Sequence, residues 1–148
     1  MDYEMLRAAL GNAVPMVKYL GLEIVEVGQG RGVVRLPDRP ELLNHVRSQH
    51  AGGLFAAAET ASGAAMTGAL ADKLTGVTPL AKGAEIAYKR LAKGPVTATA
   101  TLSEDGGEIA RRLEADGKAE FEANVELTDE AGTIVATMIV LWHLSKRP

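Results

Sequence analysis

Hydrophobic and polar positions along this chain change period several times, and each change marks an element. Between Asp2 and Leu20, the residues Leu6, Leu10, Met16 and Leu20 make an apolar stripe interrupted near Gly11 and Pro15, which predicts one or two short helices. At Leu22 the period falls to two: Leu22 and Ile24 alternate with Glu23, Gly28 to Gly32 turns the chain, and Val33 to Leu36 resumes a strand, giving a hairpin. Pro37 to Ser48 is dense in turn formers and reads as an ordered loop. From Asn44 to Leu74 polar turn residues give way to Ala, Leu, Met and other small residues, the pattern of a loop feeding a long, almost wholly apolar helix. Thr75 to Pro79 reads as a connector and Ala84 to Leu91 as a strand with Ile86 and Tyr88 on one face. After a turn at Gly94-Pro95, Val96, Ala98 and Ala100 oppose Thr97, Thr99 and Thr101 in a cleanly alternating strand. Ser103 to Gly117 predicts a short exposed helix with Ile109 and Leu113 four apart. Lys118 to Thr128 and Thr133 to Leu144, joined by Asp129 to Gly132, predict a second hairpin.

The order is short helices, hairpin, long helix and about four more strands, which predicts an α+β domain in which an antiparallel sheet curls around one helix. Small residues from Ala56 to Ala65 fit that role, because they let strands approach the helix backbone. With 148 residues and 47% apolar composition, one domain over 1–148 is expected. A net charge of -3 with no dense basic run argues against nucleic acid. There is no cysteine, which removes disulfides, thiolate catalysis and cysteine metal sites together. The N-terminal MDYEMLRAAL is acidic where a signal peptide is basic, and no apolar run reaches the length of a membrane span, so the expected location is the cytoplasm, with no membrane partner. The G-Q-G-R-G turn leads into a strand rather than a helix, so it is not a dinucleotide loop.

Candidate chemistry gathers in the central stretch. Glu59 stands between Ala58 and Thr60 at an expected buried position, and the loop ahead of it carries Asn44, His50, Ala51 and Gly52. The run NHVRSQHAGGLFAAAET, from Asn44 to Thr60, resembles the loop-and-helix signature of hotdog-fold acyl-CoA thioesterases of the phenylacetate-pathway (PaaI) type. That signature is Asn-Pro-x-Gly-x-x-His-Gly-Gly followed by an apolar helix bearing Asp or Glu; Asn44, His50, Gly52 and Glu59 match it in register. Ile86 to Gly94, IAYKRLAKG, looks like the family's later strand and turn. His45, Arg47, Ala51 and Leu91 stand where the pattern has Pro, Gly, Gly and Pro, and the Ala51 methyl narrows the space around its amide. The resemblance implies a hotdog fold, hydrolysis of an acyl-CoA to an acid and free CoA without a cofactor, and a homo-oligomer, either a dimer or a dimer of dimers.

The physics of thioester hydrolysis suits these residues. Attack on the carbonyl develops an oxyanion, and the unsatisfied N–H groups of Ala51 and Gly52 at a helix N-terminus are suited to it. A carboxyl in an apolar setting gains basicity, so Glu59 serves as general base or as nucleophile; the sequence leaves both open. Ala51 and Glu59 lie eight residues apart, roughly 12 Å along a helix, so one carbonyl reaches both only across two antiparallel helices of a dimer. Asn44 is expected to position the water or thioester, and His50 to hold the loop or polarise the carbonyl. Phe55 and Tyr88 are candidate substrate contacts. Lys89 and Arg90, with Lys93, meet CoA phosphates or merely end a solvated strand. His45, His50 and Glu59 fit no closed zinc pattern, so no metal is expected; His143 reads as structural, and Ser48 and Ser62 lack a nucleophile elbow. The rival readings are a non-catalytic acyl-CoA-binding protein and, ranked third, a hydratase or dehydratase.

Overall fold

The computed structural model describes residues Met1–Pro148. Two helices open the chain: α1 (Tyr3–Ala13), capped by the Asp2 carboxylate, and α2 (Pro15–Leu20), started by Pro15 at its first turn and closed by Gly21 at φ 68. Gly11 lies inside α1, contrary to the expected break there; the chain breaks only at Val14, because Pro15 disfavours helical backbone before it. Strands β1 (Glu23–Gly28) and β2 (Arg31–Leu36) form the first hairpin. After the loop comes α3 (Ala51–Leu70), then β3 (Val77–Tyr88), β4 (Val96–Leu102), α4 (Gly106–Asp116), β5 (Lys118–Thr128) and β6 (Ile134–Lys146). The six strands make one antiparallel sheet in the order β1-β2-β4-β5-β6-β3.

The expected α+β architecture, a sheet wrapped around one long helix, is the one observed. Ala57, Ala58, Ala61, Ala64 and Ala65 of α3 are fully or almost fully buried against the concave face of the sheet. Two glycines show how tight that contact is. A methyl at Gly32 of β2 would run into the backbone of Ala61, and one at Gly68 of α3 into the Gly28 carbonyl of β1, so both places need a residue without Cβ.

β3 differs most from expectation. It starts at Val77 rather than Ala84 and stops at Tyr88, because its whole length pairs with β6 from Val77↔Lys146 to Tyr88↔Ala136. Pro79 is tolerated there because β3 is the edge of the sheet. This 12-residue edge is mostly exposed, and Leu80 on it is 61% exposed. The α4 stretch, expected to be solvent-exposed, buries Ile109 and Leu113 on β5 while its charged face stays outside.

Candidate functional site

Along α3 the residues Gly52, Phe55, Ala56, Glu59, Thr60, Gly63 and Thr67 recur at three- and four-residue intervals, and none of them is fully buried. This stripe is the helix face that the chain's own sheet leaves open. Two adjoining hollows lie along it, both under the α1–α2 junction at Val14 and Val17. One, of about 270 Å³, continues past Gly63 to Met66, Pro79 and Trp142; the other, of about 240 Å³, runs back toward Phe55 and Gly52. Both are mainly apolar, no Lys, Arg or His lines either, and they share Glu59 and Thr60.

Glu59 therefore sits at their junction. Its carboxyl makes no hydrogen bond and no ion pair, and burial alone pushes its pKa above the ordinary 4.5. Its turn of helix is held from below: the Ser62 hydroxyl donates to the Glu59 carbonyl at 2.6 Å, and the Trp142 indole N–H donates to Ser62 Oγ at 3.0 Å. Thr60 is spent on its own helix, donating to the Ala56 carbonyl at 2.7 Å. An alternating β6 pattern and a serine in an alanine run were the sequence signals for Trp142 and Ser62, and neither says that the two meet.

At the start of α3, His50 is the N-cap: its Nδ1 accepts the Gly52 N–H at 2.8 Å. A neutral ring that accepts at Nδ1 carries its proton on Nε2. The expected pair of open amides is thereby corrected, since Gly52 is occupied by His50, while the N–H groups of Ala51 and Gly53 have no partner. Asn44 is likewise turned into its own loop. Its Oδ1 accepts from Val46 and Ser48 at 3.1 and 3.0 Å and its Nδ2 donates to Ser48 Oγ at 2.8 Å, so it enters the site as the holder of the loop rather than as a ligand aimed outward.

A residue that sequence reasoning passed over, Gln49, locks this loop in place. Buried at 2% exposure, it donates through Nε2 to the carbonyls of Pro37 and Gly94, and its backbone N–H reaches Ala92 at 2.7 Å. Tyr88 at the end of β3 adds a hydroxyl bond to the Ala51 carbonyl at 3.0 Å. Phe55, 37% exposed, lines the second hollow. Lys89 and Arg90 lie beyond the end of β3, exposed, with both backbone amides tied to the Val135 carbonyl. Glu59 and the Ala51 amide occupy the same helix about two turns apart, and the structure brings Tyr88, but not Glu59, to the helix start. His45 is exposed, and no cluster of three or more His, Asp or Glu is placed to hold a metal ion. His143 pairs with Glu120 on the outer face of the sheet, away from both hollows.

Residues 3–144 match the family described as a domain of unknown function, DUF4442. The chain belongs to that family. No curated protein sequence matches it. Among solved structures, it is similar to a protein of unknown function from Pseudomonas aeruginosa described as a probable thioesterase, with 28% identity over 97% of this chain and 95% of that one and a TM-score of 0.85. It is also similar to the PaaI protein of the Escherichia coli phenylacetic acid degradation operon, with 22% identity over 97% and 93% of the two chains and a TM-score of 0.73. A thioesterase from Staphylococcus aureus matches with 19% identity over 89% and 99% and a TM-score of 0.72. The last two, below a quarter identical, speak for the fold, and that fold is the hotdog. No helix of this DUF4442 chain is long and apolar enough to cross a membrane.

Proposed function

We propose that this chain is an acyl-CoA thioesterase that works as a homodimer or a dimer of dimers. Water adds to the thioester carbonyl, the C–S bond breaks, and the products are a carboxylic acid and free CoA; no cofactor beyond the CoA moiety enters. Glu59 either takes the proton of that attacking water, or itself attacks the thioester carbonyl in its place, expelling the CoA thiolate and leaving a mixed anhydride that water then hydrolyses to the acid and free Glu59. The oxyanion is met by the partner's Ala51 amide, because the two groups of one protomer stand too far apart. His50 and Asn44 hold the loop that presents this amide, and Phe55 and Tyr88 flank the acyl and thioester portions. The observation that carries the reading is Glu59 itself: a half-buried, unpaired carboxyl where two apolar hollows meet, on a helix face left open by its own sheet. The open edge of β3 stands ready for the same partner.

The test is complementation. Glu59→Gln removes the base. Ala51→Pro removes the amide proton where Pro is tolerated, since position 51 opens the helix, its N–H is unpaired and His50 already has extended backbone (φ -64, ψ 141). Each homo-oligomer is expected to lose about 100-fold or more in kcat on an acyl-CoA panel, and mixing the two after co-refolding restores one intact site per hybrid dimer. Failure of the mixture to recover activity sinks the shared site. Wild-type binding of acyl-CoA without turnover leaves the non-catalytic reading.

A further inference from the structure

Arg47 is the one residue other than glycine with positive φ, at 60. The loop imposes this: Asn44 N–H donates to the Ser48 carbonyl at 2.8 Å, Arg47 N–H to the Asn44 carbonyl at 3.0 Å, and Asn44 Oδ1 ties Val46 and Ser48. Left-handed backbone suits Gly or Asn, and a long cation gains nothing from it structurally. Nor does the Arg47 guanidinium repay the strain with a contact, for it is exposed and makes no hydrogen bond or ion pair.

The charges around it follow a pattern. Of 16 Lys and Arg residues, Arg7, Arg31, Arg35, Lys73, Lys82, Arg111, Arg112 and Lys146 have carboxylate partners. Arg39 and Arg147 hydrogen-bond to backbone carbonyls. Among the six left over, Arg47, Lys89, Arg90 and Lys93 lie on two short segments that Gln49 stitches together through Ala92 and Gly94, beside the start of α3. The nearby Glu130 faces Arg35 at 3.8 Å and so is shared with another cation. Unpaired like charges gathered on one rim repel one another, and a polyanion relieves that repulsion. Val46 and Leu91, both exposed among these cations, offer apolar surface for a base.

Resting on the acyl-CoA reading, we propose that Arg47 is a substrate-binding residue whose strained backbone aims its guanidinium, together with Lys89, Arg90 and Lys93, at the phosphates of the 3'-phospho-ADP arm of CoA. Arg47 then sets preference for the carrier rather than for the acyl group.

The test compares an acyl-CoA with the same acyl group on N-acetylcysteamine, which has no nucleotide, using Arg47→Gly, Arg47→Gln and Arg47→Lys. In Arg47→Gly and Arg47→Gln the ratio of kcat/KM for the CoA ester to that for the truncated ester is expected to fall about 5-fold, through KM. Arg47→Lys recovers most of it, and the gap closes as salt rises. Arg47→Gly keeps or raises Tm, which separates lost binding from lost fold. An unchanged ratio, or equal losses on both esters, overturns the proposal. Should no thioester be hydrolysed, the thioesterase reading fails on its own; calorimetric titration with 3',5'-ADP still decides here, since equal affinity of wild type and Arg47→Gln overturns the assignment and weaker binding by the variant upholds the anion site.

Discussion

The contact beneath Glu59 makes a quantitative prediction. Ser62 is wholly buried and Trp142 nearly so, and the indole N–H has Ser62 Oγ as its partner at 3.0 Å. Ser62→Ala removes that acceptor and strands a buried donor, an expected loss of about 1–3 kcal/mol. The Glu59 carbonyl, which also loses the Ser62 hydroxyl, is less affected because it lies in mid-helix and accepts from its own helix ladder. Trp142→Phe removes the donor instead and leaves Ser62 still donating to Glu59, so its polar loss is smaller and most of its cost is the void left beside Gly63. In the double variant no orphan remains, and its stability should lie close to that of Trp142→Phe alone. The cycle therefore predicts a coupling equal to the Ser62→Ala loss, about 1–3 kcal/mol, between the two sites. Urea unfolding of the four proteins at pH 7 measures it. Losses that add to within about 0.5 kcal/mol would mean that the bond contributes nothing in solution, and the account of how this helix turn is held would be wrong.

Two further predictions concern the same helix. Because burial raises the Glu59 pKa above 4.5, the unfolded chain ionises this group first as pH rises, and the charge opposes folding increasingly until the folded pKa is passed. Glu59→Gln should thus match wild type in stability below about pH 4.5 and exceed it toward neutrality, while the acid limb of wild-type turnover lies above 4.5; a difference in Tm that does not change with pH contradicts this. Gly68→Ala gains about 1 kcal/mol of helix propensity, yet its methyl meets the Gly28 carbonyl, a backbone atom that cannot swing aside, so a net loss of about 1–3 kcal/mol is expected in chemical denaturation.

How much of this was legible in the residues varies with how local the cause is. Alternation in Val96–Leu102 and the apolar run after His50 specify their elements directly, since period and burial are properties of the segment itself. The beginning of β3 was not legible, because Thr75–Pro79 has turn composition and becomes strand only by pairing with the end of β6. Glu59, His50 and Asn44 could be picked out by residue type and spacing, but their hydrogen bonds could not: whether the Gly52 amide is open depends on which way the His50 ring turns. Gln49 and Trp142 escaped altogether, as each acts through contacts distant in sequence, to Pro37 and Gly94 in one case and to Ser62 in the other.

Assembly and chemistry on the proposed reading have a single structural origin. An α3 made only of small apolar residues would pack its sheet more stably than one with a half-buried, unpaired carboxyl in mid-helix, since that charge opposes folding at neutral pH and no neighbour compensates it. The same face that carries Glu59 is the one the sheet leaves uncovered, and its end adjoins the helix start where the Ala51 amide stands unpaired. On that reading a second antiparallel copy of the helix would cover the face the sheet leaves open, and in the same movement would bring an amide to a carboxyl that no residue of its own chain supplies with one. Association would then assemble the site rather than merely stabilise it, and the loss in stability at Glu59 would be the mark that the proposed function leaves on the isolated chain.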